Sequence, residues 1–270
     1  MNILLHLVVA TLYAIAAWAC WPRRPALSSP WMRSGFGLIV VALALHAFAL
    51  YRAIDQPDGL DLSFSHALSL VGGLAVLVAF ASGMLRTLPQ VSAVVLPVAA
   101  LCAVLPSFSR STVRFTFAEQ GLATAHITVA LLAYALLVVA ALQAAVMTGL
   151  EKRLHRGLTS GDPGGIPPLL TLERYEFRLI WAGFVLLTLA LASGFVFSEQ
   201  LFGKPVTFTH KNVFSVAGWA AFAILLFGRW RYGWRGRVAL RWIIAGTLLL
   251  VLGYLGSKFV LEVLLHRASA

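Results

Sequence analysis

Seven histidines are the residues of this chain best suited to chemistry: His6, His46, His66, His126, His155, His210 and His266. Imidazole is a common neutral ligand of transition metals and of haem iron. A haem needs two axial ligands on opposite faces, held by separate elements within an apolar wall. A zinc site asks for more ligands, usually at short spacing. No HxxxH, HxxE or CxxC pattern occurs, and the only cysteines are Cys20 and Cys102. Calcium or magnesium would want clustered oxygens. Asp55, Asp58 and Asp61 are the one such group, and they read as a solvated loop. The chemistry these residue types permit is axial ligation, although spacing alone singles out no pair.

The elements that must position these rings are membrane spans. Of 270 residues, 60% are hydrophobic and only 11% charged, against roughly 25% charged in ordinary soluble chains. A helix crossing a bilayer needs about 20 mostly apolar residues. Eight runs approach that length, at 2–21, 34–52, 64–85, 91–106, 121–150, 178–200, 212–228 and 239–265. The expected fold class is an all-α polytopic membrane protein, one transmembrane domain over 1–270. The run at 91–106 is short and holds Pro97, which predicts a kink or incomplete crossing. The first run has no basic leader, so it reads as a span and not a removable signal.

The net charge of +11 follows from topology. Fourteen of the 21 lysines and arginines fall in one set of connectors and six in the other, so the rich set faces the cytoplasm and both termini face outward. Basic residues scattered among connectors point to lipid, with no nucleic-acid partner. Arg229, Arg231, Arg235 and Arg237, with Trp230, Tyr232 and Trp234, read as a cytoplasmic anchor and aromatic belt. Cys20 and Cys102 fall near opposite surfaces, too far apart to bridge.

In this topology six histidines gather at or beneath the outer surface, and only His155 lies in a cytoplasmic loop. Each has a structural alternative. His6 and His46 can bond backbone carbonyls at the interface, and His66 follows Ser63 and Ser65 at a helix start, where polar residues cap. His210 can simply mark a loop edge, and His266 can be a terminal interface residue beside Arg267. His126 lies one turn inside a span, where polar groups tend to be functional. Deep charge in the spans is confined to Lys258 and Glu262, spaced i, i+4.

The C-terminal half carries a family resemblance. "THKNVFSVAGWAAFAILLFGRWRYGWRGR" followed by "AGTLLLVLGYLGSKFVLEVLLH" resembles the CcsA/CcmC-type cytochrome c assembly proteins, which handle haem in membranes. The likeness is greatest to their eight-span inner-membrane branch known as YpjD, akin to HemX-like proteins. "HITVALLAYALLVVAALQAAV" is similar to the family's histidine-led span, and "ERYEFRLIWAGFVLLTLALASGF" to its short glutamate-led helix and the Gly-rich span that follows. "YLGSKFVLEVLLH" is similar to its final span and terminal histidine.

The resemblance implies a haem-handling protein of the bacterial inner membrane that breaks no bonds itself. Haem b would be its cofactor, with His126 and His266 as axial ligands. It implies a deeper haem place at His66 or His46, and other cytochrome c biogenesis components as partners. Family members carry a WGxxWxWDPKE loop where this chain has "LFGKPVTFTHKN", which keeps only the lysine, Lys211. His210 then stands as substitute ligand or propionate partner, and Lys211 as propionate partner. The alternative is an accessory subunit that keeps the fold without cofactor, for instance assisting a membrane transporter in cation homeostasis.

Overall fold

The computed structural model describes residues 3–21, 30–56, 59–61, 63–87, 89–108, 114–115, 121–155, 169–196 and 210–253. In a bilayer every backbone N–H and C=O must be satisfied within its own segment, which makes long apolar runs helical. The helices are α1 (Ile3–Ala19), α2 (Pro30–Ile54), α3 (Phe64–Ala81), the four-residue α4 (Met84–Thr87) and α5 (Pro89–Val104). They continue with α6 (Gly121–His155), α7 (Leu169–Val196), α8 (His210–Tyr232) and α9 (Gly236–Val251).

Six helices contain windows long and apolar enough to cross a membrane: Gly35–Ile54, Phe64–Ala81, Gln90–Ser107, Gly121–Lys152, Leu170–Val196 and His210–Tyr232. The apolar α1 has 17 residues and α9 has 16. Proline does not break α5, which runs helical through Pro97 and on into a 3-10 turn at Leu105–Ser107. At 35 residues α6 is about 52 Å long, well beyond a bilayer's hydrocarbon thickness of about 30 Å. The expected short glutamate-led helix is absent as a separate element. Residues from Leu169 onward run unbroken into the span as α7.

The all-α architecture carries one small addition in its connectors: Asp55–Gln56 (β1), Gly59–Asp61 (β2) and Arg114–Phe115 (β3) form a three-stranded antiparallel sheet. Asp61 pairs with Arg114 and Leu60 with Phe115, tying the α2–α3 connection to the segment between α5 and α6.

Packing divides the bundle into two halves. One core joins α1, α2, α3 and α5 around Tyr13, Ile39, Val76 and Leu96. The other joins α6, α7, α8 and α9 around Leu137, Ile180, Phe222 and Ile243. The seam is α3 against α6: Val71 of α3 packs into the second core, while Val139 and Met147 of α6 pack into the first. Neighbours alternate in direction, so the starts of α1, α3, α6 and α8 share an end with the finishes of α2, α5 and α7. That is the histidine end. The opposite, arginine end carries the α8–α9 turn.

Candidate functional site

His126 stands on the second turn of α6, half-buried against α7. Its Nδ1 lies 2.8 Å from Ser193 Oγ. The Ser193 hydroxyl donates its one proton to the carbonyl of Ala190, 3.1 Å away. A hydroxyl that gives its proton to that carbonyl accepts from the ring, which favours the tautomer with hydrogen on Nδ1 and the lone pair on Nε2. Metal-bound histidines are held this way, with a fixed partner on one nitrogen setting tautomer and ring orientation for the other. The ring also lies over Gly194. A Cβ at that position would come within 3.2 Å of Cε1 and 4.0 Å of Nε2, so the absence of a side chain makes the cradle. Lys211, on the first turn of α8, lies within electrostatic reach of His126. Three helices thus bring an oriented imidazole, its hydroxyl support and a cation to one place.

The other described histidines are spent differently. His46 is 1% exposed and bridged at both nitrogens, with Tyr13 Oη 3.2 Å from Nδ1 and Ser69 Oγ 2.9 Å from Nε2. Ligation would cost it one of these bonds, so His46 does not fit as a deeper haem ligand. Its partners are buried hydroxyls, whereas the sequence suggested interfacial carbonyls. His6 does bond a carbonyl, that of Ala103 at 3.0 Å, but it is buried at 2% exposure. His66 is also buried, its Nδ1 2.7 Å from Ser63 Oγ. Ser63 occupies the N-cap of α3 yet makes no side-chain cap bond, because its hydroxyl serves the histidine instead. His6 lies within electrostatic reach of both His46 and His66. Electrostatic reach thus groups His66 with His6 and His46 in the N-terminal half. His210 is exposed at the first residue of α8. His266, Lys258 and Glu262 lie outside the described residues.

At the arginine end the structure holds a site the sequence reading missed. Glu173 of α7 accepts from Arg229 Nη1 at 2.6 Å and from Arg235 Nε at 3.0 Å. Arg229 also donates to the Trp234 carbonyl and lies 4.5 Å from the centroid of the Phe177 ring. Trp234 stacks on Trp242 with centroids 5.9 Å apart. Arg229 and Arg235 are therefore not merely lipid-facing anchors; they lock the α8–α9 turn onto α7. Trp230 and Tyr232 are 80% and 66% exposed. The signal lay in the alternating acids of "ERYEFR", overshadowed by the number of arginines nearby.

Comparison with known proteins agrees with this architecture. The family model described as "Cytochrome C assembly protein" matches residues 36–265. The chain is 32% identical over 240 residues to the inner membrane protein YpjD of Escherichia coli strain K12, covering 87% of this chain and 89% of that one. It is 34% identical over 140 residues to an uncharacterized 28.8 kDa protein of Azospirillum brasilense, covering 52% of each. Over 89 residues it is 32% identical to the cytochrome c biogenesis protein CcsA of Prochlorococcus marinus strain MIT 9303, covering 33% of this chain and 28% of that one. No solved structure matches. A match over residues 36–265, with six helices among the described residues long and apolar enough to cross a membrane, makes this chain a member of the cytochrome c assembly protein family, embedded in a membrane.

Proposed function

We propose that this protein binds haem b near the outer leaflet of the bacterial inner membrane, as a non-enzymatic haem-handling component of cytochrome c biogenesis. In this reading it crosses the membrane eight times, with both termini outside. The carrying observation is the His126 arrangement: a ring fixed by Ser193, its lone pair on Nε2, and Lys211 beside it on another helix. The donor set fits haem. A neutral imidazole with a supported Nδ1 suits iron, and an ammonium at the rim suits a propionate. Bound haem would supply iron with two axial positions. His126 offers one ligand, and the family resemblance puts His266 forward for the other, with His210 beside Lys211 as substitute ligand or propionate partner. His66 is the remaining histidine for a deeper place. Family membership, and the partial likeness to proteins named for cytochrome c biogenesis, support the reading.

The test is the absorption spectrum of the purified, haem-supplied protein. A Soret band is expected, reduced by His126→Ala or His266→Ala and lost in the double variant. No band in a folded protein, or a band indifferent to both substitutions, refutes the proposal. The tryptophan-free loop "LFGKPVTFTHKN" favours a second reading, an accessory subunit without cofactor. Stable co-purification of a protein partner with no chromophore after haem supply would decide for it.

A further inference from the structure

The arginines around the α8–α9 turn are not equivalent. Arg229 and Arg235 are held by Glu173, and Arg231 lies with its guanidinium 5.6 Å from the centroid of the Tyr232 ring. Arg237 and Arg241 are exposed on α9 and make no hydrogen bond or ion pair among the described residues. Their own hairpin offers no counter-charge, since no Asp or Glu occurs between Glu199 and Glu262. Positions 237, 241, 244 and 248 follow the i, i+4, i+7, i+11 spacing of a single helical face. Beyond the two arginines that face carries exposed Ile244 and Leu248, the latter about 10 Å further along the helix than Arg241. The turn beside it is rigidly placed. Trp234 stacks on Trp242 with the rings 14° from parallel, and Tyr232 stacks on Trp234 in turn.

We infer that this face of α9 is a binding site for an anionic phospholipid, its phosphodiester paired with Arg237 and Arg241 and an acyl chain lying along Ile244 and Leu248. Two guanidinium groups one turn apart offer forked donors to phosphate oxygens. The apolar stripe that follows them runs towards the other end of the bundle, as a tail anchored by its headgroup must. A soluble phosphate would use the arginines and leave Ile244 and Leu248 idle. A zwitterionic lipid brings its own ammonium beside the phosphate and pairs less well with an arginine couple. Basic surface alone attracts anionic lipid diffusely. An unengaged pair in line with an apolar stripe makes a site of defined stoichiometry. Glu173 contributes indirectly, because holding Arg229 and Arg235 fixes the turn from which α9 starts. The site lies at the other end of the bundle from His126, and its test needs no haem.

The probe is dioleoylphosphatidylglycerol, with dioleoylphosphatidylcholine as comparator. Each is titrated into the full-length protein in detergent, and bound lipid is counted by native mass spectrometry. One tightly held phosphatidylglycerol is expected, bound about tenfold or more above phosphatidylcholine, since each arginine at a membrane surface favours an anionic lipid by roughly fivefold. Arg237→Gln with Arg241→Gln should remove that preference and leave phosphatidylcholine unchanged, whereas lysine at both positions should keep most of it. Arg174 and Arg178 are an exposed pair on α7 at the same end. Glutamine at both removes equal charge and should weaken phosphatidylglycerol by less than about threefold. Equal binding of the two lipids, equal losses from the two glutamine pairs, or displacement of the lipid by glycerol 3-phosphate at equal concentration overturns the inference. The second result would mean bulk charge only, and the third a site for soluble phosphate. If the α9 glutamine variant does not reach a monodisperse folded state, the lipid comparison and the glycerol 3-phosphate competition on the unaltered protein decide.

Discussion

Ser193→Ala puts the His126 geometry under the most direct strain. The substitution removes one hydroxyl, 2.8 Å from Nδ1, from a half-buried position on α7. Ala190 loses an incoming side-chain bond to its carbonyl and the half-buried Nδ1–H of His126 loses its acceptor, while every backbone bond of the helix is kept, so the helix should hold. His126 loses both its support and the constraint that assigns the lone pair to Nε2. A single neutral hydrogen bond is worth about 1 kcal/mol net. Removing the partner of a metal-bound histidine typically lowers metal affinity by about 10–100-fold. With one half-buried hydroxyl at stake, the lower end applies: haem affinity should fall about tenfold, or about 1.4 kcal/mol. The assay is titration of haem into the nanodisc-embedded protein, followed at the Soret band. The iron's reduction potential should also rise, because an unsupported Nδ1–H makes the imidazole a poorer electron donor. Ser193→Thr, which keeps the hydroxyl, should restore most of the affinity. A Ser193→Ala protein that melts like the parent yet binds haem within twofold, at an unchanged potential, would refute the reasoning about Ser193 and weaken that about His126.

Further outcomes follow from the same coordinates. Gly194→Ala sets a Cβ within 3.2 Å of His126 Cε1; haem affinity should drop several-fold, while helix propensity leaves stability unchanged or raises it by up to about 1 kcal/mol. Opposite signs in the two assays are the signature, and parallel losses would refute it. Glu173→Gln strips two guanidinium groups of their carboxylate; because Arg235 is 55% exposed, the loss should be about 2–3 kcal/mol, below the fully buried range. Thermal unfolding reads this, and adding Arg229→Met should recover part of it. For topology, Leu122→Cys, at an exposed position of the histidine end, should react with an impermeant maleimide on intact cells. Tyr232→Cys should react only after permeabilisation. The native Cys20 and Cys102 are buried and free, which keeps the background low.

The helices were legible because hydropathy is a property of long windows, and lipid leaves the backbone few alternatives. Pro97 lies inside α5 without ending it, and a kink there is compatible with a continuous helix. A proline weighs against a helix in water, but in a packed span the surrounding helices keep the segment continuous. The short strands escaped notice because pairing Leu60 with Phe115 is long-range and carries no local period. Site residues divided along similar lines. His126 stood out by depth within its run, which is local information. Ser193, Gly194 and the engagement of His46 by Tyr13 and Ser69 are contacts between helices far apart in the chain. Glu173 and Glu176 were passed over because their run begins well before the predicted span at 178–200; the helix starts at Leu169 and carries both inside the bundle.

The contrast among the histidines has a physical reason. An imidazole beneath a membrane surface must place a donor and an acceptor, and leaving either without a partner in an apolar bundle is costly. In the N-terminal half, hydroxyls from α1 and α3 grip His46 at both nitrogens, which stiffens α1, α2 and α3 against one another and leaves no capacity for a ligand. In the C-terminal half, α7 supplies His126 with a serine whose only proton is committed elsewhere and a glycine that yields room for the ring. A purely structural histidine would gain most from the first arrangement. The second fixes the ring's orientation through Nδ1 alone, the kind of support by which metal-bound histidines are held.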